Sequence, residues 1–232
     1  MADSVIGFIG LGLIGGSIAK GIKRSRPDVK ILAYMRTRSR LEIAVKEGII
    51  DGILEGVGEQ LRECDIIFLC TPVEYNARYL RDIRPYLKEN AIVTDVGSTK
   101  ADIHRAVEEL QMEGCFVGGH PMAGSEKTCY ENATDHLLEN AYYILTPTPR
   151  SRPRDVETMR EIARLTGALP IVLDYEKHDR IVAAISHLPH IIASSLVNLV
   201  RDSDDPEEYM KRLAAGGFKD ITRIASSSPE MW

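Results

Sequence analysis

Three glycines constrain this chain more than any other feature. Gly10-Leu11-Gly12-Leu13-Ile14-Gly15 follows an apolar run at 5–9 and opens an amphipathic run at 15–23. A strand that turns through G-x-G-x-x-G into a helix is the entry to a dinucleotide-binding βαβ unit. Gly10 permits the tight turn, Gly12 removes a side chain from the path of a pyrophosphate, and Gly15 lets helix and strand pack closely. Leu13 and Ile14 lie within the same turn, whose N–H groups and positive helix end would face the phosphates. A glycine-rich turn without a ligand is the alternative, and the flanking strand and helix weigh against it.

The βα rhythm continues beyond this turn. Strands are expected at 5–9, 30–35, 66–70, 92–95, 116–119, 142–146 and 169–173, and helices at 15–23, 40–47, 75–87, 100–111 and 155–166, with Gly167 closing the last. Such alternation specifies an α/β, Rossmann-type, doubly wound and mostly parallel sheet over residues 1–173. After Asp174 the strand signal ends, and Ile181, Ile185, Leu188, Ile192 and Leu196 follow a helical spacing. Residues 174–232 are therefore expected to be all-helical, and about sixty residues is short for an independent helical domain. That half is expected to be shortened or to be completed by another subunit.

The second expected strand ends where an NAD-specific site places an acid about 20 residues past the glycines, to hold the ribose 2′-hydroxyl. Here the count lands on Met35, followed by Arg36-Thr37-Arg38-Ser39-Arg40. A missing acid and added guanidinium groups lean towards NADP, because guanidinium pairs well with phosphate oxygens. A neutral strand end still admits NAD, and both cofactors stay open. Arg36, Thr37 and Arg38 are expected at the cofactor, as are Thr71 and Pro72 just past the strand at 66–70.

Charge and cysteine usage narrow the class further. The net charge is −5 despite 29 Lys and Arg, so no global basic field favours a nucleic acid partner. The four cysteines show no CxxC spacing, and the start of the chain shows no basic and apolar leader. No apolar run approaches the roughly 20 residues needed to span a bilayer. A cytoplasmic enzyme with reduced thiols is expected, acting on a small molecule, with no membrane and no metal.

Three further segments carry polar chemistry: Asp95-Val96-Gly97-Ser98-Thr99-Lys100, Gly118-Gly119-His120-Pro121-Met122-Ala123-Gly124-Ser125-Glu126, and Ser186-His187-Leu188-Pro189-His190, with Gly216-Gly217-Phe218-Lys219-Asp220-Ile221-Thr222-Arg223 later. The first two follow strands, and open α/β sheets bind their ligands at the carboxyl ends of strands. With GLGLIGGS, these segments closely resemble the prephenate/arogenate dehydrogenase family, from residue 5 onward.

The resemblance implies an NAD(P)-binding domain, a helical domain that forms a homodimer, and oxidation of prephenate to 4-hydroxyphenylpyruvate and carbon dioxide, or of arogenate to tyrosine and carbon dioxide. It implies His120 as the catalytic histidine and Ser98 as its partner near the substrate hydroxyl. It implies Arg223 as the substrate-binding arginine, with Lys219 and Asp220 close by, His190 and His187 in the active site, and Glu126 in gating or ionic contacts. Plainer roles remain for several: Ser98 as a helix cap, Arg223 as a surface ion pair. Two rivals also stand beside it: a β-hydroxyacid or imine reductase on the same sheet, and a nucleotide sensor without turnover.

Overall fold

The computed structural model describes residues 4–125 and 127–227. Two compact units divide the chain, Met1–His178 and Asp179–Trp232.

In the first unit, strand β1 (Val5–Ile9) leads through the glycine turn into α1 (Leu13–Ser25), and β2 (Lys30–Tyr34) into α2 (Arg38–Lys46). A two-residue strand β3 (Gly52–Ile53) follows, then β4 (Ile66–Leu69), α3 (Val73–Ile83), β5 (Ile92–Asp95) and α4 (Ala101–Glu109). These five strands form one parallel sheet in the order β3-β2-β1-β4-β5. Chain order reverses between β1 and β4, which is the switch point where doubly wound sheets open a crevice.

A second, three-stranded sheet follows. Strand β6 (Val117–Pro121) approaches β5 through one parallel bridge, Val93 to Phe116. It pairs antiparallel with β7 (Tyr142–Pro147), which runs parallel to β8 (Leu169–Val172) across α5 (Pro153–Leu165). One apolar layer packs on each face of the sheet, one around Phe8, Phe68 and Ile18, the other around Leu69, Val93 and Phe116. The α/β, mostly parallel architecture is the one expected, with β3 added as an element too short to leave a pattern in the sequence.

The second unit is helical. Helix α6 (Tyr175–Val182), whose first turn still belongs to the first unit, runs through a π-helical turn, Ala183–His187, into α7 (Leu188–Ser203). Pro189 lacks an N–H and would break a regular i to i−4 ladder. A wider π turn placed just before it keeps the helix continuous. Two short helices follow, α8 (Tyr209–Leu213) and α9 (Gly216–Thr222).

One expectation is corrected here. The helix Tyr175–Ser203 has 29 residues and an 18-residue window of mean hydropathy 1.4, long and apolar enough by length and composition to cross a membrane. Its apolar residues are interrupted by His187, His190 and serines, so no unbroken run announces it. Length and average hydropathy do not separate such a helix from one that packs on protein.

Candidate active site

The glycine turn has the shape its spacing demands. Gly10 adopts φ +93°, and a Cβ there would stand 2.7 Å from the Cys70 carbonyl oxygen. A Cβ on Gly15 would meet the Gly10 oxygen at 2.7 Å and the Cys70 side chain at 3.0 Å. Around Gly12 there is nothing within 4 Å. Gly12 also caps α1 without a side chain, and the first turn of α1 holds no acid. The positive end of the helix and its first N–H groups therefore face open space at the switch point, a cradle that fits a pyrophosphate.

A cleft of about 260 Å³ extends from this cradle. Gly10, Leu11 and Gly12 form one wall; Tyr34, Met35, Arg36, Thr37 and Arg40 form the side towards β2; Thr71, Pro72, Tyr75, Arg78 and Tyr79 form the side towards α3. Arg36 and Thr37 thus line the cleft, as do Thr71 and Pro72, while Leu13, Ile14 and Gly15 stand at the start of α1. Arg38 does not line it. Its guanidinium is held 2.7 Å from Glu55 and 3.6 Å from Glu42. Arg40 takes its place while pairing with Glu131 at 2.9 Å. No acid lines this cleft among the described residues. Burial raises the Tyr79 phenol above its usual range, against the opposing field of Arg36 and Arg78.

A second polar cluster lies at the carboxyl ends of β5 and β6. Asp95 closes β5 and is fully buried, and its carboxylate is ion-paired with Lys100, itself fully buried. One carboxylate oxygen accepts the Gly97 N–H at 2.9 Å and the other the Gly119 N–H at 3.2 Å. Asp95 therefore ties the loop that carries Ser98 to the strand that carries His120. Ser98 is exposed on that loop, and His120 is buried near the end of β6. Glycine at 119 is needed where the two backbones approach, since a Cβ there would stand 2.6 Å from the Asp95 main-chain carbonyl oxygen.

His120 is also hydrogen-bonded through Nδ1 to Nε2 of His178 at 2.8 Å. Nothing in the sequence marks His178, fifty-eight positions away. Asp95 and Lys100 lie in a segment singled out by its resemblance, yet their pairing is visible only in the fold. Tyr75 and Arg78 are likewise additions, while Arg40 belongs to the basic stretch already read at 36–40.

In the second unit, His187 ends the π turn and His190 is buried on α7. His190 Nε2 lies 3.2 Å from the Ser227 hydroxyl. Ser227 directly follows the 3-10 turn Arg223–Ser226, so Arg223 and His190 belong to one local assembly. Lys219 and Asp220 are exposed on α9. Glu126 lies outside the described residues.

Fold and cradle together define a Rossmann-type nucleotide-binding chain with a helical C-terminal part. The model for "Prephenate dehydrogenase, nucleotide-binding domain" matches residues 18–172, and that for "Prephenate dehydrogenase, dimerization domain" matches 174–232. The chain is 40% identical to a prephenate dehydrogenase of Bacillus subtilis over all of its own length and 63% of that relative's. It is 30% identical to a cyclohexadienyl dehydrogenase of Zymomonas mobilis, covering 98% of this chain and 78% of that one. A crystal structure of prephenate dehydrogenase from A. aeolicus with hydroxyphenyl propionate and NAD+ superposes with TM-score 0.91 at 34% identity, over 99% of this chain and 80% of that chain. Synechocystis arogenate dehydrogenase gives 0.86 at 33%, over 98% and 81%. The chain belongs to the prephenate dehydrogenase family. It spans less than two thirds of the length of the Bacillus relative.

Proposed function

We propose that this chain carries the NAD(P)-dependent oxidative decarboxylation of prephenate to 4-hydroxyphenylpyruvate. The observation that supports it best is His120 placed at the carboxyl end of β6, tied through Gly119 to the Asp95 loop of the same nucleotide-binding sheet. Likeness over the whole chain to enzymes of that name supports the substrate class.

The bound nicotinamide supplies a hydride acceptor for the ring carbinol carbon. His120 takes the carbinol O–H proton as the hydride leaves, a task suited to a neutral imidazole. Once the ring carboxylate has left as carbon dioxide, its electrons restore aromaticity and the proton returns to the phenolate oxygen. Ser98 orients the hydroxyl. On this reading Arg223 serves a substrate carboxylate through its planar fork, His190, His187, Lys219 and Asp220 serve as further substrate-binding groups, and Glu126 serves in gating or ionic contacts. Arogenate is the second reading, favoured by the likeness to the Synechocystis enzyme. The dimerization-domain match supports a homodimer.

For the cofactor we favour NADP over NAD. Arg36 and Arg40 line the cleft where an acid would select the ribose hydroxyl.

The test follows absorbance of the reduced nicotinamide with prephenate or arogenate and each cofactor. Prephenate should be turned over, faster with NADP+. Silence with both substrates would reject the reading, and turnover of arogenate alone would replace the substrate.

A further inference from the structure

The imidazole of His120 has two nitrogens, and Nδ1 meets a second imidazole. Its Nδ1 lies 2.8 Å from Nε2 of His178, with ring centroids 5.1 Å apart and planes inclined by 75°. His178 is wholly excluded from solvent. A neutral imidazole donates through one nitrogen and accepts through the other, so this contact holds a single proton between the two rings. If that proton sits on His120 Nδ1, His120 Nε2 is the nitrogen able to accept another. If it sits on His178 Nε2, the remaining His120 nitrogen carries hydrogen and takes none.

The support beneath His178 is firm. Asp174 Oδ1 accepts the N–H groups of Glu176 at 2.9 Å and Lys177 at 3.1 Å, capping the first turn of α6. Tyr175 stacks on His104 of α4 at 4.4 Å, and His104 meets the Thr146 hydroxyl at 3.0 Å. The turn that bears His178 is thus pinned to the sheet and to α4.

We propose that His178 is a positioning residue for the reaction: its Nε2 accepts the Nδ1–H of His120 and so holds His120 in the tautomer whose Nε2 takes the carbinol proton. The inference rests on the reading of His120 as the base. In many hydrolases and metal sites a carboxylate or carbonyl fixes a histidine tautomer from behind. Here a second, buried histidine does so without adding a negative charge.

The test uses the full chain with His178→Leu, His178→Gln and His120→Asn. Gln can present an amide oxygen where His178 Nε2 stands, whereas Leu fills the space without an acceptor. His178→Leu should lower kcat at least about ten-fold with both KM values within about two-fold. His178→Gln should recover most of that loss. The ring 15N shifts of His120 should report Nδ1 protonation in the parent and the Gln variant, and a mixture in the Leu variant. If the Leu variant does not fold, His178→Ala should regain turnover with imidazole in the buffer. Parental turnover in His178→Leu beside a dead His120→Asn would overturn the proposal alone. So would an unchanged His120 tautomer in the Leu variant. Full turnover in His120→Asn would instead reject His120 as the base, leaving the 15N spectra to decide what His178 does to the ring.

Discussion

Lys100 and Asp95 form an ion pair from which solvent is wholly excluded, five residues apart on either side of the Ser98 loop. Removing one partner of such a pair leaves a buried charge uncompensated, at a cost of about 3–5 kcal/mol, whereas replacing both is often neutral. Asp95→Asn should therefore lower stability to denaturant by that order. Asp95→Asn combined with Lys100→Met should regain much of it. A double variant no more stable than the single one would contradict the pairing.

The glycines of the turn separate folding from binding. Gly15→Ala drives a methyl into the Gly10 oxygen, so thermal stability should fall by roughly 1–3 kcal/mol. Gly12→Ala meets nothing, so Tm should hold while nicotinamide dinucleotide affinity drops at least about ten-fold, because the methyl occupies the pyrophosphate path. Titration by nucleotide fluorescence beside a melting curve reads both.

Arg36 and Arg38 should no longer behave alike. Arg36→Ala should raise KM for NADP+ by about ten-fold or more and leave NAD+ within about two-fold. Arg38→Ala should change neither much, since its guanidinium is engaged by Glu55 and Glu42. Parallel losses for both cofactors in Arg36→Ala would remove the phosphate from the cleft.

Tyr143 carries the one buried side-chain polar atom without a hydrogen-bond partner among the described residues. Burial also raises its phenol well above the ordinary range, so the hydroxyl stays protonated. Tyr143→Phe removes a desolvated group that makes no bond, and should be neutral or stabilising by about 1 kcal/mol. A clear loss in Tm would show that the hydroxyl is used.

Glu47 accepts a hydrogen bond from the Tyr130 hydroxyl at 2.6 Å and pairs with Lys20 at 3.1 Å. The Tyr130 bond, then Lys20, hold its carboxyl below the usual range. A depressed acid stabilises the fold above its unfolded pKa and loses that stabilisation as pH falls through the folded one. Glu47→Gln should therefore be less stable than the parent at pH 7, and the two should converge as pH falls below the ordinary carboxylate range. A gap that persists in acid would point to shape rather than charge.

The turn from β1 to α1 was legible because three glycine positions each answer a separate steric demand. Strand β3 was not, since two residues leave no periodicity to read. The arginines were half legible. Composition puts a basic cluster at 36–40, but α2 begins at Arg38, two residues before the expected start. Two residues turn an α-helix by about 200°, so Arg38 and Arg40 face opposite ways and only one reaches the cleft. His178 left no trace because its meaning lies in a partner on a distant strand. The π turn is implicit in Pro189 only once the helix is known to continue through it.

Arg40 stands in the dinucleotide cleft with an anion already in hand. Glu131, which it holds, lies in the turn Tyr130–Asn132, midway along the connection from β6 to β7. A 2′-phosphate arriving at Arg40 would displace a tethered competitor rather than fill an empty seat. Discrimination between the two dinucleotides would then be a swap of counterions, and the carboxylate set loose by that swap belongs to the connection that leads from β6 to β7.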